Sequence, residues 1–154
     1  MPKIDEIIEE TFQPALESIS VINGYLNNTT VLSGYMVHYA NDLLDQNNDI
    51  KFPCIAFEPV MDKVEQGRTG KIAKIGRVFK VVGAIDARKR KLVNKNLNSL
   101  VNDVRRAATI NWSEEKTKAE SVIIGDCEYA LPKTTSQYAY FEMTITVNYV
   151  EEWN

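Results

Sequence analysis

Residues 137–150, Gln-Tyr-Ala-Tyr-Phe-Glu-Met-Thr-Ile-Thr-Val-Asn-Tyr-Val, alternate with a period of two. Phe141, Met143, Ile145, Val147 and Tyr149 fall on one side, and Glu142, Thr144, Thr146 and Asn148 on the other. Successive side chains of a strand point to opposite faces, so an alternation this long predicts a half-buried strand. It commits the chain to a sheet with one apolar and one solvated face. The apolar face then has to be covered by something.

Two helices have the pattern to cover it. Ile4, Ile7, Ile8, Phe12, Ala15, Leu16 and Ile19 recur at three- and four-residue steps, with Asp5, Glu6, Glu9, Glu10 and Glu17 largely between them. The early carboxylates complement the positive end of the helix dipole. Pro14 costs a backbone hydrogen bond and is expected to bend or interrupt the helix. Asn23-Gly24 then supplies a stop or tight turn. A second helix is expected over about 89–109, where Val93, Leu97, Leu100, Val101, Val104 and Ala108 form one stripe. Asn94, Lys95, Asn98, Asn102, Asp103 and Arg106 are expected on its outer face.

Between the helices the spacing predicts a weak strand over 29–39. A short strand follows at Phe52 to Pro59, whose flanking prolines point to an edge position because proline offers no ladder donor. Gln66 to Gly70 reads as a basic hairpin tip. Lys71 to Ala87 reads as a long strand; Phe79, Val81 and Ile85 oppose Val78, Val82 and Ala84, so its second half is expected to be buried on both faces and central. After the second helix come a polar connection, Thr109 to Lys118, with Trp112, a strand over Ser121 to Ala130, and a turn over Leu131 to Ser136. The order α, β, β, β, α, β, β predicts one α+β domain over 1–154: a mainly antiparallel sheet of four to five strands against two principal helices.

Composition supports a packed domain. Of 154 residues, 44% are hydrophobic and 25% charged, which is ordinary globular usage and argues against disorder. No apolar run approaches a membrane span, and Met1 to Ser20 is acidic and amphipathic rather than a signal peptide, so synthesis in the cytoplasm and no membrane partner are expected. Cys54 and Cys127 are the only cysteines and form no CxxC pair, and each lies in a strand-like apolar run, the setting of a buried free thiol. His38 is the only histidine. No ligand spacing gathers carboxylates or thiols around it, so no metal is expected. A Cys54 or Cys127 nucleophile with His38 as base has no motif in its favour. The glycines of Gly67-Arg68-Thr69-Gly70 and Gly76 lack the Lys-Ser or Lys-Thr opening a helix that a phosphate loop requires. Neither a catalytic site nor a cofactor is expected.

Charge is the most uneven property of the chain. Residues 1–62 hold 2 basic and 10 acidic side chains, residues 63–91 hold 10 basic and 2 acidic, and residues 92–154 hold 6 basic and 9 acidic, within a net charge of −3. A basic middle between acidic flanks suits a polyanion partner, or copies of one chain packed head to tail, unless folding mixes the blocks in space. The candidate contacts are Arg68, Lys71 and Lys74 around the hairpin and Arg88, Lys89, Arg90 and Lys91 before the second helix, with Arg77 and Lys80 between them. The pattern also admits a weak nucleic-acid-binding module built on residues 63–91. No aromatic residue interleaves with the densest cluster, Arg88 to Lys91, for base stacking, and Tyr138, Tyr140, Phe141 and Tyr149 read as core and edge packing.

These signposts, taken in order, resemble one family. They are an N-terminal helix leading to Ile22-Asn23-Gly24-Tyr25, then Phe52-Pro53-Cys54-Ile55-Ala56, the Arg77 to Ile85 strand, the Leu92 to Ala108 helix and the Phe141 to Tyr149 strand. Across nearly its full length the chain resembles the tail-terminator (tail-completion, or minor tail) proteins of long-tailed bacteriophages. The resemblance implies a structural virion protein without catalytic residues. Such a protein is made in the host cytoplasm and forms a hexameric ring on the head-proximal end of the tail tube. It ends tube polymerisation and offers a surface to the head-completion or neck protein. The expected partners are further copies of the chain, the tail tube protein, the neck protein and, non-specifically, DNA in the lumen. A different head-to-tail joining role is the alternative within the same class.

Overall fold

The computed structural model describes residues 2–32, 51–67, 70–109, 119–131 and 137–153. Among them the elements are helix α1 (Lys3–Ile7), a π-helical turn (Ile8–Phe12), α2 (Gln13–Glu17), strands β1 (Thr30–Leu32), β2 (Cys54–Gln66) and β3 (Ile72–Asp86), a 3-10 turn (Arg90–Leu92), α3 (Val93–Thr109), and strands β4 (Ser121–Ala130) and β5 (Tyr138–Glu152). One five-stranded sheet runs in the order β1-β2-β3-β5-β4. Every neighbouring pair is antiparallel except β1 with β2, which makes the sheet mixed. The fold is α+β, with α1 and α2 joined through the π-helical turn into one helix and α3 forming the other.

The alternating strand behaves as its pattern requires. Phe141, Met143, Ile145, Val147 and Tyr149 are all buried, while Glu142, Thr144, Thr146 and Asn148 keep partial exposure. β3 lies at the centre of the sheet, and Val81 to Ile85 are buried without a break. Phe12, Leu16, Ile19, Phe79, Leu97, Leu100 and Val104 fill the layer between this face and the helices. Phe12 stacks on Phe79 with ring centroids 4.7 Å apart and meets Phe57 edge-on at 5.1 Å. The sheet and α3 approach closely at Gly83. A Cβ there would lie 2.4 Å from the Phe141 ring and 2.9 Å from Leu100 Cδ2. A smaller buried group, Cys54, Ala56, Val82 and Ala84, sits apart from the main core.

Pro14 does not end the first helix, which passes through the π-helical turn and runs on to Glu17. The amide of Gln13 reaches back five residues to the Ile8 carbonyl, and this wide turn precedes a proline that has no amide to continue the regular ladder. The helix stops at Glu17, and the Asn23-Gly24 turn follows separately, with Gly24 at a φ of +88° that side chains disfavour.

Four expectations need correction. The strand placed at Phe52 to Pro59 starts at Cys54 and runs on to Gln66, because the register slips between Pro59 and Met61 and a bulge absorbs the proline. Its first residues are not at an edge, since β1 pairs in parallel with Cys54 to Ala56. The second helix begins at Val93, four residues later than expected, after the 3-10 turn. Asp103, expected on the outer face of that helix, is fully buried. The remainder of the 29–39 strand, His38, Arg68, the 110–118 connection with Trp112 and the 132–136 turn lie outside the described residues.

Candidate assembly surface

The sheet presents two different edges. On one side β2 continues past the short β1, and from Pro59 to Gln66 every residue is exposed although β3 pairs with this stretch on its inner side. Val60, Met61 and Val64 are 52%, 53% and 60% exposed, a high value for three apolar residues on one strand. No strand among the described residues pairs with the outer side of this stretch. On the far side β4 forms the other edge, with Ile123, Tyr129 and the following Leu131 exposed. Both edge strands carry a register shift, β2 after Pro59 and β4 between Ile124 and Cys127. Bulges of this kind blunt an edge against indiscriminate pairing and leave it open to a partner of matching register.

The outer half of β2 is held straight against β3 by a charged pair. Asp62 and Arg77 are register partners, and the guanidinium donates from Nε and Nη2 to both carboxylate oxygens, the latter at 3.1 Å. The hydrogen bond to Asp62 raises the Arg77 pKa, as a charge-assisted bond to the protonated guanidinium should. Tyr149, buried beside the pair, has its hydroxyl pushed above the usual range, first by burial and then by the nearby Asp62 charge.

On the solvated face near the hairpin, a groove of about 370 Å³ is lined by Lys63, Glu65, Lys74, Gly76, Ser121 and Asn148 among others. Asn148 Nδ2 donates to Ser121 Oγ at 3.0 Å and ties β5 to β4 there. Lys63 and Lys74 are matched by Glu65 and Glu120 in its lining, so the groove has no strong charge of one sign.

The candidate basic residues do not converge. Lys71 and Lys74 sit at the hairpin end of β3, whereas Arg88 to Lys91 sit beyond its other end. Fifteen residues of strand separate these groups by roughly 45 Å at about 3.3 Å per residue. The sequence blocks therefore partly mix: Arg77 meets Asp62 of the acidic first block, and Lys80 lies 3.9 Å from Glu142 of the third.

No protein-family model and no curated protein matches the chain. Among the described residues no group of three or more His, Cys, Asp and Glu side chains is placed to hold a metal ion, and no helix is long and apolar enough to cross a membrane. Cys54 is buried and Cys127 half-buried, both as free thiols; burial raises the Cys127 pKa against the opposing pull of Tyr129 and Arg105. A thiol shifted in that direction is a poor nucleophile at neutral pH.

A polar hairpin suited to reach a neighbour is legible in the sequence between Met61 and Ile75, but the continuation of β2 past Pro59 into it is not. Taking Pro59 as a terminus hid it. The signal was present, because Val60-Met61-Asp62-Lys63-Val64-Glu65 contains no breaking residue before Gly67.

Proposed function

We propose that this protein is a structural, non-enzymatic subunit that assembles into a ring on the head-proximal end of a phage tail tube. There it ends tube growth and presents a joining surface to the head. The observation that carries the reading is the outer half of β2, which exposes Val60, Met61 and Val64 and has an unpaired outer side among the described residues. An apolar strand edge left open to water favours pairing with another chain. Because the open β2 edge and the β4 edge lie on opposite sides of one sheet, joining one to the other in successive copies is a heterologous contact. Such contacts close into a ring when the rotation per subunit divides a full turn. The ordered resemblance to tail-terminator proteins supplies the biological setting: a virion tail assembled in the host cytoplasm, with six copies, the tube protein below and the neck protein above.

The test is the molar mass of the purified chain alone and with tail tube protein, combined with negative-stain images. Closed rings that cap tube ends support the reading. A chain that remains single in the presence of tubes contradicts it. Pull-down separates the alternative: capture of a portal or connector protein in place of tube protein assigns the ring to another part of the head-to-tail joint.

A further inference from the structure

The basic segment read in the sequence is divided by the fold into two regions of different electrical character. At the hairpin end, Lys63, Lys71, Lys74, Arg77 and Lys80 are interleaved with carboxylates. Arg77 is bonded to Asp62, Lys80 lies 3.9 Å from Glu142, Lys74 stands opposite Glu65, and Glu151 and Glu152 face Ala73 and Ile72 across the β3–β5 ladder. At the other end of β3, residues 86–95 contain Arg88, Lys89, Arg90, Lys91 and Lys95 but only one carboxylate, Asp86. Arg88 occupies that carboxylate with its guanidinium and also donates its amide to Asp86 Oδ1 at 3.0 Å. The pairing folds the turn back and leaves Lys89 and Lys91 on its exposed surface, with Lys95 exposed on the first turn of α3. That turn contains no acidic residue, so the helix adds to the positive potential.

We infer that this basic pole is a docking surface for the phosphodiester backbone of duplex nucleic acid, held without reading its sequence. A protein partner would be expected to use apolar or aromatic anchors. Across Arg88 to Leu92 the only exposed apolar residue is Leu92. Single strands are gripped by stacking bases on aromatic rings; none lies among residues 86–95, and the ring across the ladder from Asp86, Tyr138, is already stacked on Phe52 with centroids 5.1 Å apart. Closely spaced cations on a short turn are what a row of backbone phosphates requires. The hairpin lysines, interleaved with Asp62, Glu65, Glu142, Glu151 and Glu152, offer phosphates no comparable positive field. The inference stands on the charge map alone and does not require the ring: binding is measured on the chain in whatever state of assembly it adopts.

The experiment is fluorescence anisotropy of a labelled 20-bp duplex with the full chain over a series of salt concentrations. About three or four phosphate contacts give a log–log salt slope of roughly −3 to −4 and equal affinity for two unrelated duplex sequences. The variant K89Q/K91Q/K95Q is expected to bind at least tenfold more weakly and to lose about two to three units of that slope, while K63Q/K74Q stays within twofold of the parent. All five side chains are exposed, and an unchanged melting curve verifies each variant; K91Q alone provides the same test with a smaller expected loss. Absence of duplex binding at low salt, equal loss in the hairpin variant, or tighter binding to anionic lipid vesicles or a poly-glutamate peptide than to the duplex would overturn the inference.

Discussion

Asp103 and Asn27 are joined twice. Oδ2 of the α3 carboxylate accepts from the Asn27 amide at 2.9 Å and from its side-chain Nδ2 at 2.7 Å, and the same carboxylate accepts from the amide of Leu26 at 3.1 Å. A fully buried carboxylate thus holds the segment that leads from the first helix towards β1. Arg106, one helical turn later, donates to the Gly24 carbonyl at 2.7 Å and lies over the Tyr25 ring at 4.9 Å. Replacing Asp103 by Ala removes the charged acceptor of two part-buried amide donors, bonds of a kind worth about 1.5–3 kcal/mol each. Urea unfolding of Asp103→Ala is expected to show a loss of about 2–4 kcal/mol, and Asp103→Asn, which keeps one acceptor oxygen, a smaller loss.

Gly83 is the second position where a small change should have a large effect. The contacts that a Cβ would make with Phe141 and Leu100 are within the core, so neither neighbour can swing into solvent. Gly83→Ala is expected to cost about 1–3 kcal/mol through overpacking. Thermal unfolding at matched concentrations checks it, with Gly70→Ala, at a positive φ in the exposed hairpin tip, losing less.

Asp86 provides a titration that can be followed directly. Arg88 lowers its pKa, chiefly through the side-chain hydrogen bond, from an ordinary 3.8. A carboxylate held down in this way contributes stability that is present above the ordinary value and is lost as pH falls through the lowered one. NMR titration of the Asp86 carboxyl should give a midpoint below 3.8, and Arg88→Gln should return it towards that value. Arg88 is exposed and Asp86 partly so, and solvent screening keeps the accompanying change in stability small.

The two thiols should separate in a labelling experiment. Cys127, half-buried and shifted upward, is expected to alkylate more slowly than a free thiol at pH 8, with its rate still rising at more alkaline pH. Cys54, with no exposed surface, should label only when the protein unfolds. Mass spectrometry before and after denaturant distinguishes the sites.

Much of the architecture was legible because period and burial agree. The alternation around Ile145, the double-sided apolar run around Val81 and the stripe from Val93 to Ala108 each dictated an element and the face it buries. What was illegible has physical causes. Pro59 is an end signal by its own chemistry, and only a register slip against Phe79 lets the strand continue through it. Asp103 looks like a surface residue because burial of a carboxylate depends on donors 76 and 77 residues away in the chain. The basic residues looked like one segment because sequence proximity does not reveal that β3 carries its two ends apart, or that Asp62 and Glu142 come from other blocks to meet Arg77 and Lys80.

The central claim is that the open edge of β2 joins identical subunits into a closed ring. Sedimentation-velocity and light-scattering mass, measured with tail tube protein for the parent chain and for Val60→Lys/Val64→Lys, tests it most directly. The account predicts a parent species six times the 17.5 kDa of one chain, imaged as rings at tube ends. It also predicts that the double variant stays single while melting within a few degrees of the parent, because both side chains already face water. A parent that remains at 17.5 kDa with tubes present, or a double variant that still forms the same rings, would contradict it.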